Sequence, residues 1–334
     1  MAKKRVAING FGRIGRLTFR NLMNNKNLEV VAINDLTDNA TLAHLLKFDT
    51  AHGKFEGTVS ATDEHLIVNG KKILATAIKD PALLPWKKNK IDVVLECTGL
   101  FLDEAKAGLH LKAGAKRVLL SAPAKDKTIK TIVLGVNDNE LNDSFSIISN
   151  ASCTTNCLAP VVKVVLDNWG LVKGSTSTIH AYTADQNIQD SPHRDLRRAR
   201  AAAQNIVPTS TGAASAVRAV LPGIKNNLFA IALRVPVITG SLVECNFEVG
   251  KNVTKEEVNA AFKKAAETTM KGVLQYCEDP IVSSDIIGNK HSSVFDSLIT
   301  DVIEGNFVKL VSWYDNEAGY SARLADLTAR VAGL

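Results

Sequence analysis

The sequence lacks the features that mark membrane proteins and disulfide-rich secreted proteins. In 334 residues, no apolar run approaches the roughly 18 residues that a membrane helix needs. The five cysteines (97, 153, 157, 245 and 277) form no CxxC pair, so neither a disulfide framework nor a zinc site is indicated. The apolar stretch near residue 8 is too short for a signal-peptide core. We therefore expect a cytoplasmic protein with reduced thiols, no membrane attachment and no metal.

The composition is that of an ordinary globular protein. Hydrophobic residues make up 46% and charged residues 22% of the chain, which excludes a disordered or collagen-like protein. Lys and Arg number 40 against 34 Asp and Glu, for a net charge of +6. This mild, scattered excess suits an enzyme of anionic metabolites, and nucleic-acid binding is not indicated. The length predicts about two domains.

The first half of the chain alternates short β-rich runs with helical periodicity. Strands separated by helices favour a Rossmann-like, doubly wound parallel sheet. Asn69 and Gly70, between two alternating runs, predict a hairpin inserted into it, and Asp38 is a candidate helix cap. The predicted strands are residues 5–9, 28–33, 91–95, 117–120, 132–136 and 146–149, and the predicted helices are 16–24, 40–46 and 103–113.

After residue 150 the rhythm changes to longer strands and one long helix, which predicts an α+β domain built on a mixed or antiparallel sheet. The long helix, 154–169, should end at Gly170. A final helix, 318–331, carries Leu324, Leu327 and Val331 on one face, but spacing does not say where it docks. The other predicted elements are strands 175–182, 231–236 and 241–249 and helices 213–220 and 255–268.

Gly10, Gly12 and Gly15 follow the first strand and open the first helix. Such glycines allow a tight turn, close approach of the backbone to a pyrophosphate, and close packing of the helix on the sheet. Asp35 ends the next strand, 20 residues after Gly15, where a carboxylate accepts the hydroxyls of an adenosine ribose. A carboxylate there also repels a 2′-phosphate. The pattern therefore predicts NAD rather than NADP.

Cys153 lies where a strand passes into the long helix, among serine, threonine and asparagine side chains. The positive end of a helix dipole and its amide donors lower a thiol pKa, so Cys153 is the candidate nucleophile. Cys157 lies one turn deeper on the same face, where we expect burial. The alternative is that both cysteines only pack in the core, but such a site would not need so many hydroxyls.

His180 is one of seven histidines, in a run that alternates as a strand. Spacing alone does not select it, since a strand histidine is more often structural. Thr211 and Gly212 could begin a helix with anion-binding amides. The basic run 193–200 fits an anion site, a subunit contact or a solvated face. No aromatic residue interleaves its arginines, as base stacking on RNA would need.

Three motifs resemble the phosphorylating glyceraldehyde-3-phosphate dehydrogenases of the bacterial and eukaryotic type: NGFGRIGR from residue 9, ASCTTNC around Cys153 and SWYDNEAGYS from residue 312. The resemblance covers essentially the whole chain. It implies an NAD-binding domain at 1–151, a catalytic domain at 152–316 and a last helix, 317–334, that packs back on the NAD domain. It also implies a homotetramer, in which residues 183–205 form a loop near the neighbour's NAD site.

The resemblance further implies a role for each matching residue. Cys153 would be the nucleophile and His180 the base in the conversion of D-glyceraldehyde 3-phosphate, NAD and phosphate to 1,3-bisphosphoglycerate. Thr183 and Arg234 would hold the substrate's own phosphate; the inorganic-phosphate and substrate positions would be Ser152, Thr154, Arg198, Thr211 and Gly212. The NAD contacts would be Arg13, Ile14, Asp35, Lys79, Ser121 and Asn316, although many relatives have Arg at the position of Lys79.

Two alternatives remain at this point. Erythrose-4-phosphate dehydrogenase shares the cysteine motif, but it commonly has Glu at the position of Asp35. An additional surface or nucleic-acid binding role is compatible with the net charge, and nothing in the sequence localises it.

Overall fold

The computed structural model describes residues 2–334, which divide into two compact units. The first unit contains the chain up to Ile132, Asp138–Ser152 and Ser321–Leu334; the second contains Val133–Asn137 and Cys153–Tyr320. Within the described residues the helices are α1 (Arg13–Leu22), α2 (Asn39–Lys47), α3 (Glu104–Lys112), α4 (Cys153–Trp169), α5 (Ala213–Val220), α6 (Lys255–Glu267) and α7 (Ala318–Gly333). None of them has the length and apolar character that crossing a membrane requires.

A nine-stranded sheet forms the centre of the first unit, in the order β3-β4-β5-β2-β1-β6-β7-β9-β8. Its strands are β1 (Lys4–Asn9), β2 (Leu28–Asn34), β3 (Val59–Ala61), β4 (His65–Val68), β5 (Lys71–Thr76), β6 (Val93–Glu96), β7 (Arg117–Leu120), β8 (Lys130–Thr131) and β9 (Ile147–Ser149). All neighbours run parallel except in the β3-β4-β5 meander. The predicted doubly wound sheet with a hairpin insertion is therefore confirmed.

Local sequence signals account for many of these element ends. Asp38 caps α2 by accepting the Thr41 N–H, and Asp103 caps α3 in the same way from Lys106. Asn69 and Gly70 have φ angles of 50° and 78°, the left-handed values that a tight hairpin turn requires. The apolar runs of β1 and β6 are fully buried, as expected for strands covered on both faces.

The strand β1 lies between β2 and β6, and the direction of winding reverses between β1 and β6. In the strand register, Asn9 pairs with Asn34 on one side and Glu96 on the other. The carboxyl ends of these strands consequently form the topological switch point, where open α/β sheets bind their ligands.

The last helix contributes its apolar face to the core, since Leu324, Leu327 and Val331 are fully buried. Most of the helix, from Ser321, belongs to the first unit. There Arg330 forms an ion pair with Asp138.

The second unit is built on an eight-stranded mixed sheet in the order β11-β12-β10-β13-β17-β15-β14, with β16 paired to β17. Its strands are β10 (Leu171–Ala181), β11 (Val207–Thr209), β12 (Leu228–Val235), β13 (Ser241–Val249), β14 (Leu274–Cys277), β15 (Ser293–Asp296), β16 (Asp301–Ile303) and β17 (Phe307–Tyr314). The β10–β12 and β14–β15 pairs are parallel and the others antiparallel. The predicted α+β class is confirmed.

Two features differ from the sequence prediction. The strand predicted at 132–136 is wrong: residues 134–137 form a turn, with Gly135 at a φ of 78° and the Val133 N–H donating to the Asn137 side chain at 2.9 Å. The apolar run reflected burial rather than strand pairing. The sequence analysis also missed five strands of the second unit, β11, β14, β15, β16 and β17. Of these, β17 lies between β13 and β15 and is mostly buried.

Candidate active site

A cavity of about 750 Å³ opens at the carboxyl ends of the central strands of the first unit. Gly10, Gly12, Asp35 and Lys79, four of the residues predicted to bind cofactor, line this one cavity. The other lining residues are Asn9, Asn34, Leu36, Ile78, Asp80, Pro81, Cys97, Thr98, Leu100, Phe101 and Leu109. Its size and its place at the switch point suit a dinucleotide.

Two of the three glycines around the start of α1 leave no room for a side chain. Gly10 has a φ of 91°, and a Cβ there would lie 2.8 Å from the backbone of Cys97 and Thr98. A Cβ on Gly15 would lie 2.2 Å from the carbonyl oxygen of Gly10. The loop therefore turns tightly into α1 and brings the amides of the helix start, including those of Arg13 and Ile14, to the loop end. Such a cradle fits a pyrophosphate.

The Asp35 carboxylate is held by two backbone donors. Its Oδ2 accepts the Phe11 N–H at 2.7 Å, and its Oδ1 accepts the Thr37 N–H at 3.0 Å. Because each carboxylate oxygen can accept a further hydrogen bond, the group remains able to receive ribose hydroxyls. Its orientation is set before any ligand binds.

The Arg13 side chain is engaged within the first unit itself. Its Nη1 donates to Asp49 Oδ2 at 2.6 Å, and its Nη2 lies 3.1 Å from Nδ1 of His52. Burial raises the pKa of Asp49, but the hydrogen bonds from Arg13 and from the His52 backbone bring it down to about 2. Any contact of Arg13 with a pyrophosphate is thus best made by its backbone amide.

The remaining cofactor candidates lie in different surroundings. Lys79 is exposed at the cavity rim. Ser121 hydrogen-bonds the thiol of Cys97, whose pKa burial raises to about 12. Asn316 lies in the second unit, where its Oδ1 accepts from Thr239, Gly240 and Ser241 at 2.9–3.3 Å. These three donors fix the Asn316 amide with its oxygen turned toward them.

The second unit brings together the predicted nucleophile and base. Cys153 is the first residue of α4, and its Sγ lies 3.4 Å from Nε2 of His180 on β10. His180 Nδ1 lies 2.6 Å from the carbonyl oxygen of Ala181, which only accepts, and 2.8 Å from Nη1 of Arg234, which only donates. With the ring proton on Nδ1, Arg234 Nη1 donates to the same Ala181 oxygen at 3.1 Å. Nε2 is then the acceptor that faces the thiol. This geometry suits a nucleophile and its base.

Arg234 is the cation nearest this pair. It lies beside His180 in the parallel register of β10 and β12, with its Nη1 2.8 Å from His180 Nδ1 and 3.1 Å from the Ala181 oxygen. Burial, and secondly Arg234, lower the pKa of His180 to about 3. The ring is therefore neutral at physiological pH.

The net pKa change predicted for Cys153 from its place at the helix start is wrong. Burial raises the pKa of the Cys153 thiol, and it outweighs the opposing effects of Arg234 and of the Thr154 backbone N–H. Cys157 is fully buried, and burial raises its pKa to about 12. The two thiols thus differ in access and in their neighbours, since Cys157 contacts the side chains of Ser293 and Ser312 and backbone carbonyl oxygens.

The predicted phosphate residues are dispersed over several elements of the chain. Ser152 precedes α4, Thr183 follows β10, and Thr211 accepts the Ala213 N–H beside Gly212, at the start of α5. Thr154 donates to or accepts from the Tyr314 hydroxyl at 2.8 Å. Arg198 pairs with Asp185 and Asp195 and donates to Thr209. An anion at Arg198 would have to compete with these carboxylates.

Tyr314 is a site residue that the sequence analysis missed. Its ring packs edge-on against His180 at a centroid distance of 5.9 Å, while its hydroxyl contacts Thr154. The only signal was its position inside the motif SWYDNEAGYS. Its place beside His180 depends on β17, which was not predicted.

Among residues 2–334, no three His, Cys, Asp or Glu side chains are grouped so that they could hold a metal ion. The first unit thus has a dinucleotide-binding fold, and the second unit has a cysteine–histidine pair. These features define the class: a nicotinamide-nucleotide-dependent dehydrogenase, with a cysteine beside a histidine as its candidate nucleophile.

Comparison with known proteins agrees with this class. The family described as glyceraldehyde 3-phosphate dehydrogenase, NAD binding domain, matches residues 4–104, and the C-terminal domain of the same family matches residues 152–316. The chain belongs to the glyceraldehyde-3-phosphate dehydrogenase family, and its cofactor is NAD.

Three relatives show how far the similarity extends. The chain is 55% identical over 329 residues to glyceraldehyde-3-phosphate dehydrogenase 1 of Bacillus subtilis. It is 57% identical over 335 residues to glyceraldehyde-3-phosphate dehydrogenase of Mycolicibacterium smegmatis, and 58% identical over 334 residues to that of Mycobacterium avium. Each alignment covers 98% of both chains.

We predict that Cys153 carries the reaction and that Cys157 does not, because only Cys153 has a base within reach. Cys153→Ser should abolish aldehyde oxidation and stoichiometric labelling by iodoacetate, whereas Cys157→Ala should keep most of the activity. Steady-state assays and mass spectrometry of the labelled protein measure both. Loss of activity in Cys157→Ala alone would show that the assignment is reversed.

His180→Asn should slow acylation by roughly 10²–10⁴-fold, the usual contribution of a positioned acid–base group. The thiol then has no acceptor at 3.4 Å and must ionise with a pKa that burial raises, so alkylation of Cys153 should move to higher pH. Rapid-mixing kinetics and the pH dependence of alkylation test this, with NAD affinity as the control. An unchanged alkylation profile would contradict the pairing.

The preference for NAD over NADP should be at least tenfold in kcat/KM. A 2′-phosphate beside Asp35 meets like charge and loses hydrogen bonds, which costs about 2–4 kcal/mol. Asp35→Ala should shrink the preference. Thr37→Ala, which keeps the backbone N–H that Asp35 accepts, should leave it unchanged. Equal efficiency of the wild type with both cofactors would mean that this carboxylate does not control the choice.

Proposed function

We propose that this protein oxidises D-glyceraldehyde 3-phosphate and phosphorylates it to 1,3-bisphosphoglycerate, with NAD as the oxidant. The observation that carries the proposal is the 3.4 Å contact between Cys153 Sγ and His180 Nε2 at the start of α4. Relatives at 55–58% identity over nearly the whole chain bear the name of this activity. The site thus supplies a nucleophile and a base for covalent catalysis of aldehyde oxidation.

The first step is attack of Cys153 on the aldehyde carbon, as its proton passes to Nε2 of His180. Nε2 then returns this proton to the former aldehyde oxygen, which gives a thiohemiacetal with a new C–S bond and leaves His180 neutral again. Collapse of the thiohemiacetal to a thioester removes two groups. The carbon-bound hydrogen leaves with its electron pair as a hydride, and the hydroxyl proton passes to the neutral His180. Its low pKa favours the neutral ring in which Nε2 is available. The energy of oxidation is then held in the thioester.

Inorganic phosphate completes the reaction by attacking the thioester carbon and displacing the Cys153 thiolate. The product is an acyl phosphate and the cysteine is regenerated. Without the covalent intermediate, water would take the place of phosphate and the product would be a carboxylate. Because the substrate carries its own phosphate and inorganic phosphate is the second reactant, the site must bind two phosphate groups.

Arg234 is suited to bind one of these phosphates. Its Nε is buried and has no hydrogen-bond partner among the described residues, which is costly for a guanidinium unless a ligand completes it. Thr183, which by family resemblance would share the substrate's phosphate, follows the same strand as His180. The roles of Ser152, Thr154, Arg198, Thr211 and Gly212 at the other phosphate are part of the proposal on the same ground.

NAD fits the first unit as that unit is built. The cradle of Gly10 and Gly15 admits a pyrophosphate but no Cβ, and Asp35 is oriented to accept ribose hydroxyls. When bound, NAD supplies the acceptor for the hydride. Lys79 at the cavity rim, Ser121 and Asn316 are further proposed contacts.

We further propose a homotetramer in the cytoplasm. Within the second unit, Ile188, Leu196 and Phe229 are 83%, 82% and 67% exposed, and Ile206 and Ile231 are also exposed. Large apolar side chains in such number favour contact with another chain. The five cysteines are free thiols, which suits a reducing compartment. Sedimentation that gives a single chain at micromolar concentration would exclude the tetramer.

Turnover with glyceraldehyde 3-phosphate, compared with erythrose 4-phosphate under the same NAD and phosphate concentrations, tests the activity. We expect the larger kcat/KM with glyceraldehyde 3-phosphate. If phosphate is omitted, one burst of NADH per Cys153 should precede a slow phase, since the thioester then accumulates. Cys153→Ser is the control without a burst. A larger kcat/KM with erythrose 4-phosphate would overturn the proposed substrate.

A further inference from the structure

A fully buried carboxylate, Glu96, lies at the carboxyl end of β6 behind the dinucleotide cavity. It receives four hydrogen bonds. Asn9 Nδ2 donates at 2.6 Å, the Thr98 N–H at 2.8 Å, and His110 Nε2 lies at 3.0 Å; the Thr98 hydroxyl makes a short fourth contact. Glu96 does not line the cavity, but Asn9 and Thr98 do.

The directions of these bonds are fixed by chemistry. The indole N–H of Trp86 can only donate, and it lies 3.0 Å from His110 Nδ1. Nδ1 is therefore an acceptor, and the proton of His110 is on Nε2, where it points at Glu96. All three side chains are fully buried. A carboxylate that takes four donors acts purely as an acceptor.

The same logic extends across the sheet to Asn34. Because Glu96 accepts, Asn9 must turn its Nδ2 to it, and its Oδ1 then faces Asn34 Nδ2 at 2.8 Å. Asn34 in turn has its Oδ1 free to accept the Ile78 N–H and the Thr76 hydroxyl, both at 2.8 Å. One acceptor thus sets the orientation of two amides across the ends of β6, β1 and β2.

We propose that Glu96 is a positioning residue for NAD: it fixes the side chains that form the inner wall of the cavity. Asn9, Asn34, Ile78 and Thr98 all line that cavity, and Thr98 is also part of the backbone that closes on Gly10. The proposal rests on the proposed function only for the identity of the dinucleotide. Glu96 is then a second carboxylate, besides Asp35, that affects NAD binding, and it does so without lining the cavity.

Glu96→Gln is the informative change because it keeps the size of the side chain and replaces one acceptor with a donor. A donor there faces Asn9 Nδ2, the Thr98 donors or His110 Nε2. If the Asn9 amide rotates to relieve the clash, its Nδ2 meets Asn34 Nδ2 instead. The change therefore propagates to the cavity wall in either case.

We expect Glu96→Gln to weaken NAD binding by roughly 10- to 100-fold, since a buried hydrogen-bonded charge is lost and a donor is left unpaired. KM for NAD should rise correspondingly, with kcat and the alkylation rate of Cys153 little changed. The NAD:NADP preference should also persist, because Asp35 is untouched. Calorimetric titration with NAD alone gives the affinity without any aldehyde, so failure of the proposed substrate does not affect the result.

Trp86→Phe is the matched control. It removes the donor to His110 at the far end of the network but leaves all four bonds on Glu96. It should lower the melting temperature yet keep NAD affinity within about threefold. If Glu96→Gln does not fold, Glu96→Asp, which keeps the charge but shortens the reach, should weaken NAD by a smaller factor. Two outcomes would overturn the proposal by showing that the network only stabilises the fold: unchanged NAD affinity in the folded Glu96 variant, or an equal loss of NAD affinity in the Glu96 and Trp86 variants.

Discussion

The chemistry proposed for the second unit depends on the contact between the Cys153 thiol and the neutral imidazole of His180. Burial makes both charged forms costly, so neither the thiolate nor the imidazolium is favoured alone. A proton that moves across 3.4 Å from the Cys153 sulfur to the His180 nitrogen creates both charges together. Arg234 lies beside this pair, and its guanidinium has no carboxylate in direct contact among the described residues. An anionic substrate that reaches Arg234 would offset that charge. Binding and activation are therefore electrostatically linked in this arrangement.

The first unit uses two carboxylates for different purposes. Asp35 is half-buried and held by backbone N–H groups, so it has capacity left to bind hydroxyls. Glu96 is fully buried and accepts four hydrogen bonds, so its capacity to accept hydrogen bonds is used by groups of the protein itself. The strand register explains why both lie near the cavity, since the ends of β2, β1 and β6 bring Asn34, Asn9 and Glu96 into one row. Parallel pairing converts distant sequence positions into one wall.

The pKa of Cys153 shows where a local rule fails. A helix start and its amide donors do favour the thiolate, and the Thr154 N–H acts in that direction. The sequence offers no measure of how much water is lost when α4 packs, and that loss has the larger effect. The pKa of the Cys153 thiol is thus set by burial and by Arg234 more than by the amide donor of the helix start.

What the sequence determined by itself is local. The glycine spacing, the acid at position 35 and the start of α4 at Cys153 follow from turn geometry and from residues close in the chain. The family resemblance added Arg234 and also His180, which spacing did not select among the seven histidines. Only the tertiary structure decided the turn at residues 134–137, the central place of β17, the contact of Tyr314 with His180 and the network around Glu96. Those features depend on pairing and burial between segments far apart in the chain, which no local pattern encodes.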